Sequence, residues 1–109
     1  MNKELSNSED AKLLTLAKSS LQRNGAKQSA ALRDGTGRTH VGNSIELTSL
    51  HLDALQVALA MALSSGANQI EAAVVVGERV NDQAVVNVRE ISAQALIWYA
   101  HEDGSIHAL

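Results

Sequence analysis

Residues 70–77, IEAAVVVG, form a continuous apolar run of strand length, of the kind found where a β-strand is covered on both faces. Such a strand needs an apolar layer above it and another below, so the run points to an α/β chain with helices on each side of a sheet. A second segment tightens the constraint. Across residues 50–63, Leu50, Leu52, Leu55, Val57, Leu59, Met61 and Leu63 are interspersed with alanines, and the polar residues His51, Asp53 and Gln56 all lie near the start. A helix that is apolar all round is buried all round. The sheet is expected to cover one side, and either the first helix or another subunit the other.

The remaining elements follow from local signals. Residues 1–7 read as a flexible tail and 8–109 as a single domain. Ser6 with Glu9 makes a capping-box signal, with Ser8 a competing cap. The helix that follows carries Leu13, Leu14, Leu16, Ala17 and Leu21 on or beside one face and stops at Asn24-Gly25. Strands are predicted over 26–33 and 38–46, joined by the turn Asp34-Gly35-Thr36-Gly37. Thr48 or Ser49 is the expected cap of a helix running to about residue 64. Asn81 or Asp82 should cap a short helix with Ala84, Val85, Val88 and Ile91 at helical spacing. Strands over 94–101 and 105–109 close the chain. The order is α-β-β-α-β-α-β-β, without an internal repeat.

Composition narrows the function classes. The net charge is −3 and the nine basic residues are scattered, which argues against a nucleic-acid surface. No apolar run reaches the roughly 18 residues of a membrane span, and the polar opening MNKELSNSED lacks a signal peptide's apolar region. A cytoplasmic protein is the default expectation. There is no cysteine and no proline. Aromatics are confined to Trp98 and Tyr99, so the core must be aliphatic. These two neighbours on a strand point to opposite faces, and a buried Trp with a solvent- or partner-facing Tyr is the usual outcome.

The element order, with the stretch RTHVGNSIELTSLHLDALQVALAMALSSG over 38–66, resembles the cytidine deaminase-like family. The segments EDAKLLTLAKSS, AALRDGTGRTHVG and ALQVALAMALSSGANQIEAAVVV further resemble short bacterial proteins labelled cytidine deaminase that lack the zinc motifs. The resemblance implies a three-layer fold: a five-stranded mixed sheet with three helices. Zinc deaminases place a His or Cys ligand two residues before a catalytic Glu at a helix start, and a P-C-x-x-C on a second helix. Matching the small-residue rhythm Ala54, Ala58, Ala62, Gly66 puts the ligand on Asp53 and the glutamate on Leu55. Matching the end of the second helix on Glu90-Ile91 puts the two cysteines on Asn81 and Ala84. A leucine cannot shuttle a proton and an alanine cannot ligate a metal. The expectation is a catalytically inactive member with no cofactor. It would act as a homo-oligomeric binding or scaffold module, its partner a second copy (homodimer or tetramer), another protein or a nucleotide-like ligand.

A rival reading takes His51-Leu52-Asp53 as an H-x-E mimic, with His51 the ligand and Asp53 the acid/base of a divergent hydrolase or deaminase acting on a nucleoside-like substrate. A catalytic zinc takes about three protein ligands, and His40, His101 and His107 show no ligand spacing. The competing reading makes His51 and Asp53 polar first-turn residues of a helix. Asn43 and Glu46 resemble the family's sugar-binding G-x-N-x-E but stand three apart, which puts them on opposite strand faces unless a bulge intervenes. With Asn81 and Asp82 at a helix start they are the candidate ligand-binding residues of a cleft at the strands' carboxyl ends. The D-G-T-G turn is not a phosphate loop, because no G-K-[ST] follows it, and no G-x-S-x-G marks a nucleophile elbow.

Overall fold

The computed structural model describes residue 5 and residues 7–109. In chain order the elements are α1 (Ser8–Asn24), β1 (Gln28–Asp34), β2 (Thr39–Asn43), β3 (Ile45–Glu46), β4 (His51–Leu52), α2 (Ala54–Ser64), β5 (Ile70–Gly77), α3 (Asp82–Ile91), β6 (Leu96–Ala100) and β7 (Ile106–Ala108). Five strands form one sheet in the order β2-β1-β5-β6-β7, with β5 and β6 parallel and the other neighbours antiparallel. The fold is the three-layer α/β arrangement with a mixed sheet. To the expected order it adds one small ladder, β3 with β4.

Side-chain alternation divides the core in two. Ala30, Leu32, Ala73, Val75, Ile97 and Tyr99 pack on one face with α2 and α3, while Ala31, Ala72, Val74, Val76 and Ala100 pack on the other with Leu13 and Ala17 of α1. The 70–77 run is thus covered on both sides, as its composition requires. Tyr99 is the more buried of the two aromatics, reversing the sequence expectation. Its hydroxyl donates to the Gly77 carbonyl at 2.5 Å, whereas Trp98 lies half-buried on the α1 side with Nε1 3.4 Å from Asp10 Oδ2. A buried phenol is tolerated here because its one donor finds a strand-end carbonyl.

Asn7, not Ser8, caps α1, its Oδ1 accepting from the Glu9 and Asp10 amides at 2.8 and 3.3 Å. Ser6 lies outside the described residues. Gly25 ends the helix at φ 63°, a left-handed position suited to glycine. The buried carboxylate of Asp10 pins α1 to the sheet through Arg33, 2.9 Å away.

The larger correction concerns α2. Thr48 and Ser49 do not cap it; they sit in the turn that joins β3 to β4, where Leu47 donates to the Leu50 carbonyl at 2.8 Å. The helix begins at Ala54 with Asp53 as its cap, and Gln56 Oε1 accepts from the Asp53 amide at 3.1 Å. That D-x-x-Q pair is the local signal for the true start. Nor is α2 buried all round. Ala54, Leu55, Ala58, Leu59 and Ala62 are buried, while Met61 and Leu63 remain 45% and 38% exposed. Helix α1 packs on the opposite face of the sheet and does not cover them. The alanines let the helix approach β2 closely. A Cβ on Gly42 would lie 2.6 Å from the Ala58 nitrogen and 2.9 Å from the Ala54 oxygen, so any larger residue there would force the α2 backbone away from β2. Among the described residues no helix is long and apolar enough to cross a membrane.

The D-G-T-G turn is built on a fully buried carboxylate. Asp34 Oδ1 accepts from the Thr36 amide at 2.9 Å, the Thr36 hydroxyl at 2.7 Å and the Arg38 amide at 3.1 Å, and Oδ2 lies 3.0 Å from His40 Nε2. The His40 contact first, and the Thr36 bonds next, hold this carboxyl far below the usual aspartate range. The folded state therefore stays deprotonated where the unfolded chain, titrating near 3.8, takes up its proton. The resulting stabilisation is complete above about pH 4 and declines as the pH falls further. Asp34→Ala should lower stability at neutral pH by on the order of 3 kcal/mol. Asp34→Asn should flatten the acid limb of a urea-unfolding series taken at descending pH. An acid limb as steep as that of the parent chain would show that Asp34 does not carry it.

Candidate functional site

The carboxyl ends of β5 and β6 meet the N-termini of α2 and α3, the position where open α/β sheets offer backbone donors to ligands. Here the chain itself takes several of those donors. Asp53 Oδ2 accepts from the Asn81 amide at 2.6 Å, joining the start of α2 to the start of α3. The Asn81 side chain caps its own helix, accepting from the Gln83 amide at 2.8 Å. Gln56, at the third position of α2, donates to Asn87 Oδ1 in α3 at 2.9 Å. Gln28 is 3% exposed and works in both directions: its Oε1 accepts from the Ala54 amide at 2.7 Å, and its Nε2 donates to the Glu78 carbonyl at 3.0 Å.

The sequence-derived candidates do not gather at one place. Asp53 and Asn81 come together. Glu46 and His51 face each other across the β3–β4 ladder, 3.8 Å apart, and Glu46 also lies 3.4 Å from Lys27. These side chains are largely exposed, and surface pairs of this kind contribute about 0–1 kcal/mol. His51 stands on a strand, so it is not a first-turn residue of α2, and its partner is Glu46 rather than Asp53. Asn43 turns toward α1, where its Oδ1 accepts from Ser20 at 3.1 Å and from Ser29. Asp82 is exposed in the first turn of α3. Of the remaining histidines, His40 binds Asp34, while His101 and His107 stack edge-on with ring centroids 4.4 Å apart.

The donor set at the two helix starts is Asp53, Leu55, Asn81 and Ala84. Leu55 and Ala84 are fully buried in the apolar core, and the oxygens of Asp53 and Asn81 already accept backbone amides. Among the described residues no three His, Cys, Asp or Glu side chains gather to hold a metal ion. These residues do not fit a zinc ion.

Sequence reasoning passed over Gln28 and Asn87. Nothing local distinguishes them, since their partners lie 26 and 31 residues away. Gln56 was passed over too, although its D-x-x-Q spacing from Asp53 is a local capping signal. Two hollows flank the region. One, of about 600 Å³, lies beside the ends of β5 and β6 and is lined by Lys27, Glu78, Tyr99, His101, Glu102 and Asp103 among others. Burial, and next the Glu102 carboxylate, push the Tyr99 phenol above its ordinary range. The other, an open groove of about 320 Å³ between α2 and α3, is lined by Leu52, Gln56, Leu59, Leu63, Asn87 and Ile91 among others.

Gln28→Leu should strand a buried amide and a carbonyl together, lowering stability by about 2–4 kcal/mol, with the loss read from the urea midpoint. A change under half a kcal/mol would show that water replaces the glutamine.

A family model described as "Cytidine deaminase-like" matches residues 6–104. The fold is similar to that of a cytidine deaminase from Burkholderia pseudomallei at TM-score 0.76 and 22% identity, covering 91% of this chain and 90% of that one. It is similar to a cytidine deaminase from Mycobacterium leprae at TM-score 0.71 and 13% identity, covering 96% and 94%. A cytidine deaminase from Mycobacterium tuberculosis aligns at TM-score 0.65 and 19% identity, over 77% and 82%. No curated protein matches the sequence.

Proposed function

The chain belongs to the cytidine deaminase-like family, and we propose that within it this protein is a metal-free, non-deaminating module that binds a second copy of itself. The observation that carries the reading is the burial of Leu55 and Ala84, both 0% exposed, at the positions to which the helix register read from the sequence assigns the family's catalytic glutamate and a ligand cysteine. Zinc deaminases depend on a metal-activated water and a glutamate that moves its proton. Neither a leucine nor an alanine supplies such a group, and the absence of any cysteine removes thiolate ligands altogether. The rival hydrolase built on His51 and Asp53 draws less support, because Glu46 is the partner of one and the Asn81 amide of the other.

Self-association draws on the apolar surface left open. Leu47 and Leu50 are 60% and 44% exposed at the β3–β4 turn, and Met61, Leu63 and Ile91 are exposed on α2 and α3. Leu63 and Ile91, with Leu52 and Leu59, line the groove between α2 and α3; an exposed apolar patch marks an interaction face, and a stable pair needs about 800 Å² from each partner. A nucleotide ligand draws less support from the hollow beside β5 and β6, since Glu78, Glu102 and Asp103 outnumber Lys27 in its lining and like charges repel a phosphate. The cytoplasm is the compartment in which we place this activity.

Two measurements test the reading. Purified protein should carry no stoichiometric zinc by elemental analysis and release no ammonia from cytidine or deoxycytidine. Stoichiometric zinc, or ammonia release that His51→Ala abolishes, would overturn it. By light scattering the native chain should exceed 11.5 kDa at least twofold at micromolar concentration. Met61→Glu or Leu63→Glu should yield a folded monomer, because a carboxylate cannot be buried unpaired in an apolar contact. A native particle of 11.5 kDa would end the self-association proposal.

A further inference from the structure

We propose that the Asp53 carboxylate is a clasp that ties the start of α2 to the start of α3, doing with one hydrogen bond what a shared metal would do at these two helix ends. The inference rests on the metal-free reading above. Its geometric basis is the 2.6 Å contact from Asp53 Oδ2 to the Asn81 amide, a charge-assisted bond between residues 28 apart. The carboxylate is positioned from behind. Gln56 Oε1 holds the Asp53 amide at 3.1 Å while the other end of the same side chain donates to Asn87 in α3 at 2.9 Å. Gln28 fixes the next amide, that of Ala54, and links it to the Glu78 carbonyl in the segment leading to α3.

The need for such a clasp lies in α3. It is 10 residues long, with Ala84 and Val88 its buried residues. A helix of that length is marginal without tertiary support. Its first amides have no intrahelical partners, and a carboxylate beside them is favoured by the helix dipole. Asn81 caps the Gln83 amide from within, and Asp53 adds a charge from the residue that starts α2, so the first turn of α3 is tied to another element as well as capped by its own sequence.

Amide hydrogen exchange on the full chain separates this role from simple capping of α2. Serine is as good as aspartate at a helix cap, but its side chain is one atom shorter and does not reach Asn81. Asp53→Ser should therefore leave exchange within α2 unchanged while speeding exchange of the Asn81 amide by on the order of tenfold or more. Asp53→Ala should do the same at Asn81 and also loosen the first turn of α2. If Asn81 in the serine variant is protected as in the parent chain, Asp53 is a cap and the clasp is refuted. If the alanine variant does not fold, the serine variant decides the question unaided. Failure of the underlying reading looks different: stoichiometric zinc in the parent chain, with Asn81 exchange accelerated by a chelator, would overturn the metal-free assignment itself.

Discussion

Ala73 and Val75 on one side of β5, and Ala72, Val74 and Val76 on the other, must all be kept from water, and the rest of the molecule is laid out to do so. Full burial of a valine is worth about 1.5–3 kcal/mol, so a single covering layer would forfeit half of what the strand can contribute. Helix α1 closes one face and α2 with α3 the other. Pairing with β1 and β6 on its two sides satisfies the backbone of β5 as well. The small residues follow from this geometry. Alanines on β5 and α2, and the bare Cα of Gly42, let the layers approach until backbone nearly meets backbone.

Where the layers end, the chain must deal with exposed helix starts and strand-end carbonyls, and it does so with its own polar side chains. Asn81 caps α3, Gln28 bridges Ala54 and Glu78, and the Tyr99 hydroxyl takes the Gly77 carbonyl. Asp53 crosses between the helices. In a catalytic site such groups are left open toward a substrate. Here they are mutually engaged, which links the packing to the proposed loss of deaminase chemistry. The apolar residues left outside this network, Leu47, Leu50, Met61 and Leu63, lie on and before α2 and form the surface on which the proposed self-association draws.

The sequence by itself determined the layered architecture, because hydrophobic periodicity and short-range caps are properties of consecutive residues. The run at 70–77, the stop at Gly25, a cap at Asn81 or Asp82 and the absence of thiolates are all visible without coordinates. Tertiary structure decided what depended on distant partners. The β3–β4 ladder claimed Thr48 and Ser49 for a turn and left Asp53 to cap α2 at Ala54, a choice among three locally eligible caps that the ladder made. It turned Asn43 to Ser20 and Ser29, set His51 against Glu46, and brought Asp53 to Asn81. It also placed α1 on the far face of the sheet, so that Met61 and Leu63 stayed open. A side-chain hydrogen bond across 26 to 31 residues leaves no periodic trace in a sequence, because either partner alone is an ordinary polar residue until the sheet fixes the distance between them.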